Sequence, residues 1–463
     1  MFGSFPIRHL LAATVLAGGC ALPGVAQITL DAANLRQAAA ISLREGDTNR
    51  ALAYSNALLQ RDPQDLTALL IRARALRDQG ALPPARASAK QAWALAKTDA
   101  QRYSAALITA QILSSGGKRT RAQLWLRRAV QHAPNAKLEA KAKRDFAYVK
   151  RRNPWSTHLT FGIAPNSNIN NGSARERSQL NYALSELLFG QPIEYDLSGN
   201  AQALSGLEIG GALRSRYRFK ETATTAHDLK LGLSYRTFTL SDASKSQAPG
   251  LAGSDFAYGT ASLGYGFRKI NLEHKGEFAV DLEAGQSWYG GARYASYLRG
   301  AAQQSYRPTS DRQYRFGVNI ERQWGQATPD VDSFGVSANL TQRFTTGNQG
   351  FVGLSAKTTQ STNMDSEYAE IELRTGFMLG KSIKGAALQF GLGAAYRDYE
   401  VSRHARNGRQ DKRVFADVTA TFENIDYYGF NPSITFSASR SDSNIGLFDT
   451  ERMGVSIGIK SAF

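Results

Sequence analysis

The passage Asn153-Pro-Trp-Ser-Thr-His-Leu-Thr-Phe-Gly-Ile-Ala-Pro-Asn-Ser-Asn-Ile-Asn-Asn-Gly172 is where this chain changes its period. Upstream of it, Leu138 to Lys150 reads as a final solvating helix, a polar cap for the helical repeats before it. Pro154 stops that helix, because its ring clashes with the preceding turn and it lacks a donor. Trp155 suits a membrane–water boundary. From there Leu159, Phe161 and Ile163 alternate with polar or small residues, which is the period of a strand with one apolar face.

Downstream the alternation recurs to the end of the chain. Leu229, Leu231, Leu233 and Tyr235 form one set, Phe278, Val280, Leu282 and Ala284 another, and Met453, Val455, Ile457 and Ile459 the last. About fourteen such segments are expected, near 156–164, 206–219, 228–240, 255–267, 277–288, 294–305, 313–323, 333–345, 350–359, 368–379, 386–398, 412–422, 431–440 and 452–463. Each runs about ten residues, enough for a tilted strand to cross a hydrocarbon core. If the helical part lies in the periplasm, the long connections Pro165 to Ser205, Ser241 to Ser254, Gly325 to Asp332, Glu400 to Asp411 and Ser441 to Thr450 face outside, and short ones such as Glu221 to Ala226 and Gly347 to Gln349 face inside. Matched strands, an even count and that loop asymmetry predict a fourteen-stranded antiparallel transmembrane β-barrel. A soluble antiparallel protein also alternates, but requires none of the other features. A polar lumen is compatible with a mean hydropathy of -0.36, since half of every strand faces water.

From Ile28 to about Lys150 the chain is alanine-rich, with Gly46, Gly80 and Gly117 as turn markers. In the register of these glycines, Ala51, Ala85 and Ala122 fall five positions downstream, and Ala39, Ala73 and Ala110 seven upstream. Ala92 and Ala129 repeat a further small position, and Pro63 and Pro134 each end a second helix. This helix–turn–helix period resembles the tetratricopeptide repeat, an α-solenoid unit that stacks into a groove for extended peptides. The repeats lack the usual Trp, Lys97 stands where a proline is usual, and Leu58 replaces one alanine. An ordinary alanine-rich bundle is the alternative. The first residues, with Arg8 and His9 before the apolar run Leu10 to Gly19, read as a secretory signal peptide cut after Ala26. Cys20 is an alternative lipid-attachment site, with Ala17 where leucine is preferred. The expected organisation is therefore signal 1–26, helical domain 27–152 and barrel 153–463.

The 463 residues carry 56 Lys+Arg and 39 Asp+Glu, net +17, and a single cysteine. One cysteine excludes an internal disulfide and a Cys-based zinc site. The histidines His9, His132, His158, His227, His274 and His404 show no metal-ligand spacing, and neither a phosphate-binding glycine loop nor a Gly-x-Ser-x-Gly elbow is present. No catalytic, cofactor-binding or metal residue is expected, although Ser156 beside His158 leaves a rim hydrolase conceivable. Residues 28–152 hold net +14 and the barrel +2. In the periplasm nucleic acid is not a partner, so the basic surface is assigned to phospholipid headgroups or to acidic client and chaperone surfaces, especially through Lys150, Arg151 and Arg152. A solvated helix face is the plainer explanation.

The stretch from Phe161 to Asn171 resembles the opening of the barrel in the Slam family, the surface lipoprotein assembly modulators or type XI secretion translocon. The resemblance implies a periplasmic tetratricopeptide domain joined to a fourteen-stranded outer-membrane barrel in a Gram-negative bacterium. It further implies transport of client proteins, surface lipoproteins or small secreted haem- or metal-capturing proteins, with no catalytic residues. Phe463 resembles the terminal aromatic by which the barrel-assembly machinery recognises its substrates. The loop from Pro165, with Asn166, Asn168, Asn170, Asn171 and a helix expected over Tyr182 to Phe189, is assigned as an inward-folding gate; asparagine's tolerance of turns explains the composition equally well. Two rival functions remain, a polysaccharide export porin and a nutrient porin. A nearly neutral barrel argues against an anionic polymer.

Overall fold

The computed structural model describes residues 30–179 and 181–461; the expected signal peptide with Cys20 and its cut after Ala26, and Phe463, lie outside these residues. The chain parts into two compact units, one ending at Ala96 and one beginning at Lys97.

In the first unit the glycine markers do what their backbone freedom allows. Helix α1 (Ala32–Glu45) begins where the Asp31 carboxylate accepts the Asn34 N–H, and ends at Gly46 with φ 83°. Helix α2 (Thr48–Arg61) turns back against it. Helices α3 (Leu66–Asp78) and α4 (Leu82–Leu95) repeat the hairpin, with Gly80 at φ 77° between them and proline in the first turn of α4. The alanines of the repeat register are where the helices touch: Ala39, Ala51, Ala73, Ala85 and Ala92 are fully buried, and Leu58 fills an alanine slot nearly as completely. Ala39, Leu43, Ala51, Ile71 and Ala75 form one apolar cluster. Arg36 closes on the buried Asp65 at 2.7 Å, fastening the first hairpin to the second.

The second unit opens with the third hairpin. Helix α5 (Asp99–Ser115) starts in a capping box between Thr98 and Gln101, Gly117 turns at φ 71°, and α6 (Arg119–Gln131) follows. Helix α7 (Ala136–Arg152) packs on both through Ala110, Leu113, Ala122, Leu126, Phe146 and Val149.

The barrel begins with β1 (Trp155–Asn166). The loop after it contains β2 (Arg177–Gln179), α8 (Tyr182–Phe189) and β3 (Glu194–Asp196), β2 and β3 pairing with each other. Then come β4 (Gly206–Glu221), β5 (Thr225–Leu240), a short α9 (Asp242–Gln247), β6 (Tyr258–Asn271), β7 (Gly276–Tyr289) and β8 (Ala292–Tyr306). The series ends with β9 (Arg312–Gly325), β10 (Val331–Arg343), β11 (Gln349–Gln360), β12 (Tyr368–Met378), β13 (Ala386–Tyr399), β14 (Arg409–Phe422), β15 (Phe430–Ser443) and β16 (Thr450–Ser461). Strands β1 and β4 to β16 make a closed antiparallel barrel of fourteen.

Alternation sorts the two faces. Leu159, Phe161, Leu233, Leu263, Val318, Leu373, Leu392 and Ile457 point outward and are widely exposed, Leu159 by 73% and Leu263 by 68%. So broad an apolar band is stable only against hydrocarbon. Two expectations need correction. The strands run 11 to 16 residues, longer than the ten expected, because pairing continues past the apolar band at both rims. The loop asymmetry is confined to the first two connections of the rim away from the helices, here the far rim, and to the β13–β14 connection, 400–408. Gly290–Gly291 is a tight far-rim turn, whereas Glu423–Gly429 on the near rim is as long as several far-rim connections.

Candidate functional site

The loop 167–205 is shaped by its asparagines. Asn166 Oδ1 accepts the Asn168 N–H at 3.0 Å, a local turn of the kind asparagine forms anywhere, and Asn171 takes φ 55°. Asn168 and Asn170 do more. Asn168 is buried; its Nδ2 donates to Gly172 O (2.9 Å) and across to Glu451 O (3.2 Å) on β16, and its Oδ1 accepts from Gly172 N. Asn170 donates to Asn200 O and Gln202 O and accepts from Leu204 N, closing the loop on itself. Lumen-facing Arg452 donates to Asn168 O (3.0 Å) and to Asn171 Oδ1.

From this clasp the loop spreads over the far rim. Ser173 donates to Gly446 O (2.6 Å), Arg175 pairs with Asp449 (2.5 Å) and Leu447 N donates to Ser178 Oγ (2.8 Å), all on the β15–β16 connection. Tyr182 N then donates to Arg403 O (2.7 Å) on the β13–β14 connection. The opposite flank is apolar: Ile169 and Leu204 pack with Phe238, Leu240, Ala248, Leu251 and Phe256. The helix expected over Tyr182 to Phe189 is α8, which turns Ser185 inward and leaves Leu184, Leu187, Leu188 and Phe189 exposed. The result is a cap covering the arc of rim from β6 through β1 to β13.

Beneath it the lumen wall is laced with opposite charges. Arg218 donates to the fully buried Asp228 at 2.9 Å, with Arg216 at 3.7 Å and Arg268 at 3.9 Å from the same carboxylate. Arg299 pairs with Glu321 (2.5 Å), and Lys230 with Asp281. Across the barrel Arg397 meets Glu370 (2.6 Å), Arg413 meets Glu372 (2.8 Å) and Arg374 meets Asp417 (3.2 Å). A chamber of about 760 Å³ lies on the Arg216 side, and Ser156 and His158 face it. Among the described residues no cluster of His, Cys, Asp and Glu is arranged to hold a metal ion.

At the near rim one residue that sequence reasoning missed carries the attachment. The Arg127 guanidinium, on α6, donates to Tyr428 O (3.1 Å) and Gly429 O (2.8 Å) in the β14–β15 turn and to Ser461 Oγ (2.8 Å) at the end of β16. It also lies 4.2 Å from the Phe430 ring centroid. Burial pulls its pKa below the ordinary arginine value, with Asp426 opposing. Gln131 accepts the Tyr428 N–H, and Asn153 Nδ2 donates to Thr120 Oγ1 (3.0 Å) on α6. The signal was an arginine on the edge of α6's apolar stripe of Ala122, Leu126, Ala129 and Val130. Lys150, Arg151 and Arg152 form the exposed last turn of α7, where cations suit the negative helix end. Arg152 stacks on Tyr148 (4.1 Å) and Lys150 lies near Phe146.

The model of the surface lipoprotein assembly modifier family matches residues 216–463. No curated protein sequence matches the chain. Among solved structures, the TPR2B domain of yeast Sti1 in complex with pHsp70 is 17% identical over 26% of this chain and 97% of its own, with a TM-score of 0.24. A loop-deletion mutant of OmpT, an outer membrane protein of Vibrio cholerae, is 8% identical over 66% and 99%, TM-score 0.33. A bacterial polysaccharide outer membrane secretin is 8% identical over 66% and 98%, TM-score 0.35.

Proposed function

Because this chain belongs to the surface lipoprotein assembly modifier family, and its closed barrel places it in the outer membrane, we propose that it is a translocon that moves client polypeptides from periplasm to cell surface. The clients are lipoproteins, or small secreted haem- or metal-binding proteins. The helical region recruits them on the periplasmic side and the barrel conducts them. The observation that carries this reading is the Arg127 attachment, which fixes a helical hairpin of a protein-binding fold at the mouth of a polar lumen. A wall whose carboxylates sit beside arginines offers both signs to a passing chain. That suits a polypeptide of mixed composition better than an anionic polysaccharide, for which an unbroken basic lining is needed.

The cap acts as a gate in this scheme, with Asn168 and Asn170 as its internal fastening and Tyr182 to Phe189 as its outer surface. The exposed Lys150, Arg151 and Arg152 face lipid headgroups or acidic surfaces of clients and chaperones, and Phe463 serves the barrel-assembly machinery. The deciding experiment co-expresses a candidate client lipoprotein with and without this chain and measures its accessibility to protease added outside the cell. Accessibility should depend on the chain; a client equally exposed in both cases refutes the reading.

A further inference from the structure

The barrel is not zipped evenly. Strands β10 and β11 pair without interruption from Asp332↔Gln360 to Arg343↔Gln349, and the other hairpin-linked neighbours pair along nearly their whole length. The β1–β16 seam is different. Among the described residues its pairs are Ile163↔Ile457 and Asn166↔Gly454, both in the far-rim half. There the seam is fastened further, by Ser167 N to Met453 O (3.1 Å), Met453 N to Ser167 Oγ (2.8 Å) and the Asn168 bridge to Glu451. Toward the near rim Thr160, Phe161 and Gly162 have no ladder partner on β16, and Gly458, Ile459 and Lys460 have none on β1. The strands still run side by side, since a Cβ on Gly458 would lie 3.9 Å from Phe161 O.

Backbone donors and acceptors left open at membrane depth cost free energy that lipid cannot return. Both strands of this sparsely paired stretch are held by one helix. Arg127 of α6 bonds Ser461 at the end of β16, and Thr120 of the same helix bonds Asn153, two residues before β1.

We propose that the near-rim half of the β1–β16 seam parts to present a binding edge for an extended segment of the transported polypeptide, which adds as a strand while α6 holds both strand ends in place. This rests on the translocon reading above. An edge presents N–H and C=O groups at strand spacing, and another extended backbone is the chemistry that matches them. Outward Leu159 and Phe161 alternate with inward His158 and Thr160, so the inserted strand carries apolar residues toward lipid and polar residues toward the lumen. A lipid anchor on the client then stays on the hydrocarbon side.

The test locks the seam. The register from Ile163↔Ile457 sets Gly162 opposite Gly458, and at neither position does an added Cβ meet an atom closer than 3.4 Å. In a Cys20→Ser background, the pair Gly162→Cys/Gly458→Cys is oxidised in cells co-expressing a client lipoprotein, beside the control Ser337→Cys/Ser355→Cys in the zipped β10–β11 pair. Surface exposure of the client should be lost with the oxidised seam, return on reduction, and be unaffected by the control. In the otherwise unaltered chain, a photo-crosslinking residue at Phe161 should trap the client, and one at outward Phe334 should not. Normal exposure with the seam crosslinked, or failure of Phe161 to trap a client that does reach the surface, overturns the proposal and leaves the translocon reading standing. A client exposed equally without the chain overturns both.

Discussion

At Arg127 one guanidinium satisfies two carbonyls and a hydroxyl while lying against an aromatic ring. One of those carbonyls belongs to Tyr428, held at φ 54°, a conformation bulky residues avoid. Arg127→Ala leaves that turn unsupported and should lower the free energy of local opening of α6 and α7 by about 3 kcal/mol, read from amide exchange. Arg127→Lys should recover only part of it, because an ammonium cannot reproduce the planar fork. Unchanged exchange in Arg127→Ala would remove the attachment's role. Asp145 on α7 gives a pH-dependent counterpart. Burial holds its carboxyl above the ordinary range, against Lys141 and Arg144. A raised folded pKa means that this contribution is complete below the ordinary carboxylate pKa and is lost as pH rises through the raised value. Asp145→Asn should therefore raise the melting temperature of the helical signal at neutral pH and flatten its pH dependence; a variant as pH-sensitive as wild type contradicts this.

The cap loop is the element whose removal says most. Deleting Ser173 to Gly199 takes away β2, α8, β3 and their bonds to the β13–β14 and β15–β16 connections, and leaves the Asn168 clasp in place. Ion conductance in planar bilayers should rise, and an unchanged conductance rules out the gate. Much of this scale was legible from local chemistry. Alanines placed by glycine register are the buried contact points, and α8 has the bounds its apolar run suggested, because each depends on residues a few positions apart. The cap's architecture was not legible. Asparagines that favour turns in any loop are indistinguishable in sequence from Asn168, whose partner Glu451 lies 283 residues away. The near-rim turn Glu423–Gly429 falls in the gap the strand segments left, but its bonds to Arg127 and Gln131 were not legible, because those partners lie about 300 residues upstream.

For the whole molecule, the net charge of +17 separates into a basic helical region and a barrel near neutrality. Composition alone revealed that division, but not that the lumen's carboxylates are placed beside its arginines, which required the strand register. In full-length protein in nanodiscs, reversing Lys150, Arg151 and Arg152 to glutamate should weaken binding of an acidic client by about 1 to 2 kcal/mol, roughly tenfold in Kd, with the difference shrinking as salt rises. Binding that ignores both charge and salt would leave that surface merely solvated.

The seam also has a place in time. Barrel neighbours joined directly along the chain form as local hairpins, whereas Ile163 and Ile457 meet only after the intervening strands exist. Closing so long a loop carries the largest chain-entropy cost in the barrel and returns the fewest ladder bonds. The sheet therefore completes itself at β1 and β16 last, and Arg127, reaching Ser461 from 334 residues upstream, engages only at that final step. In refolding, formation of the Arg127–Ser461 contact should trail the zipping of β10 and β11.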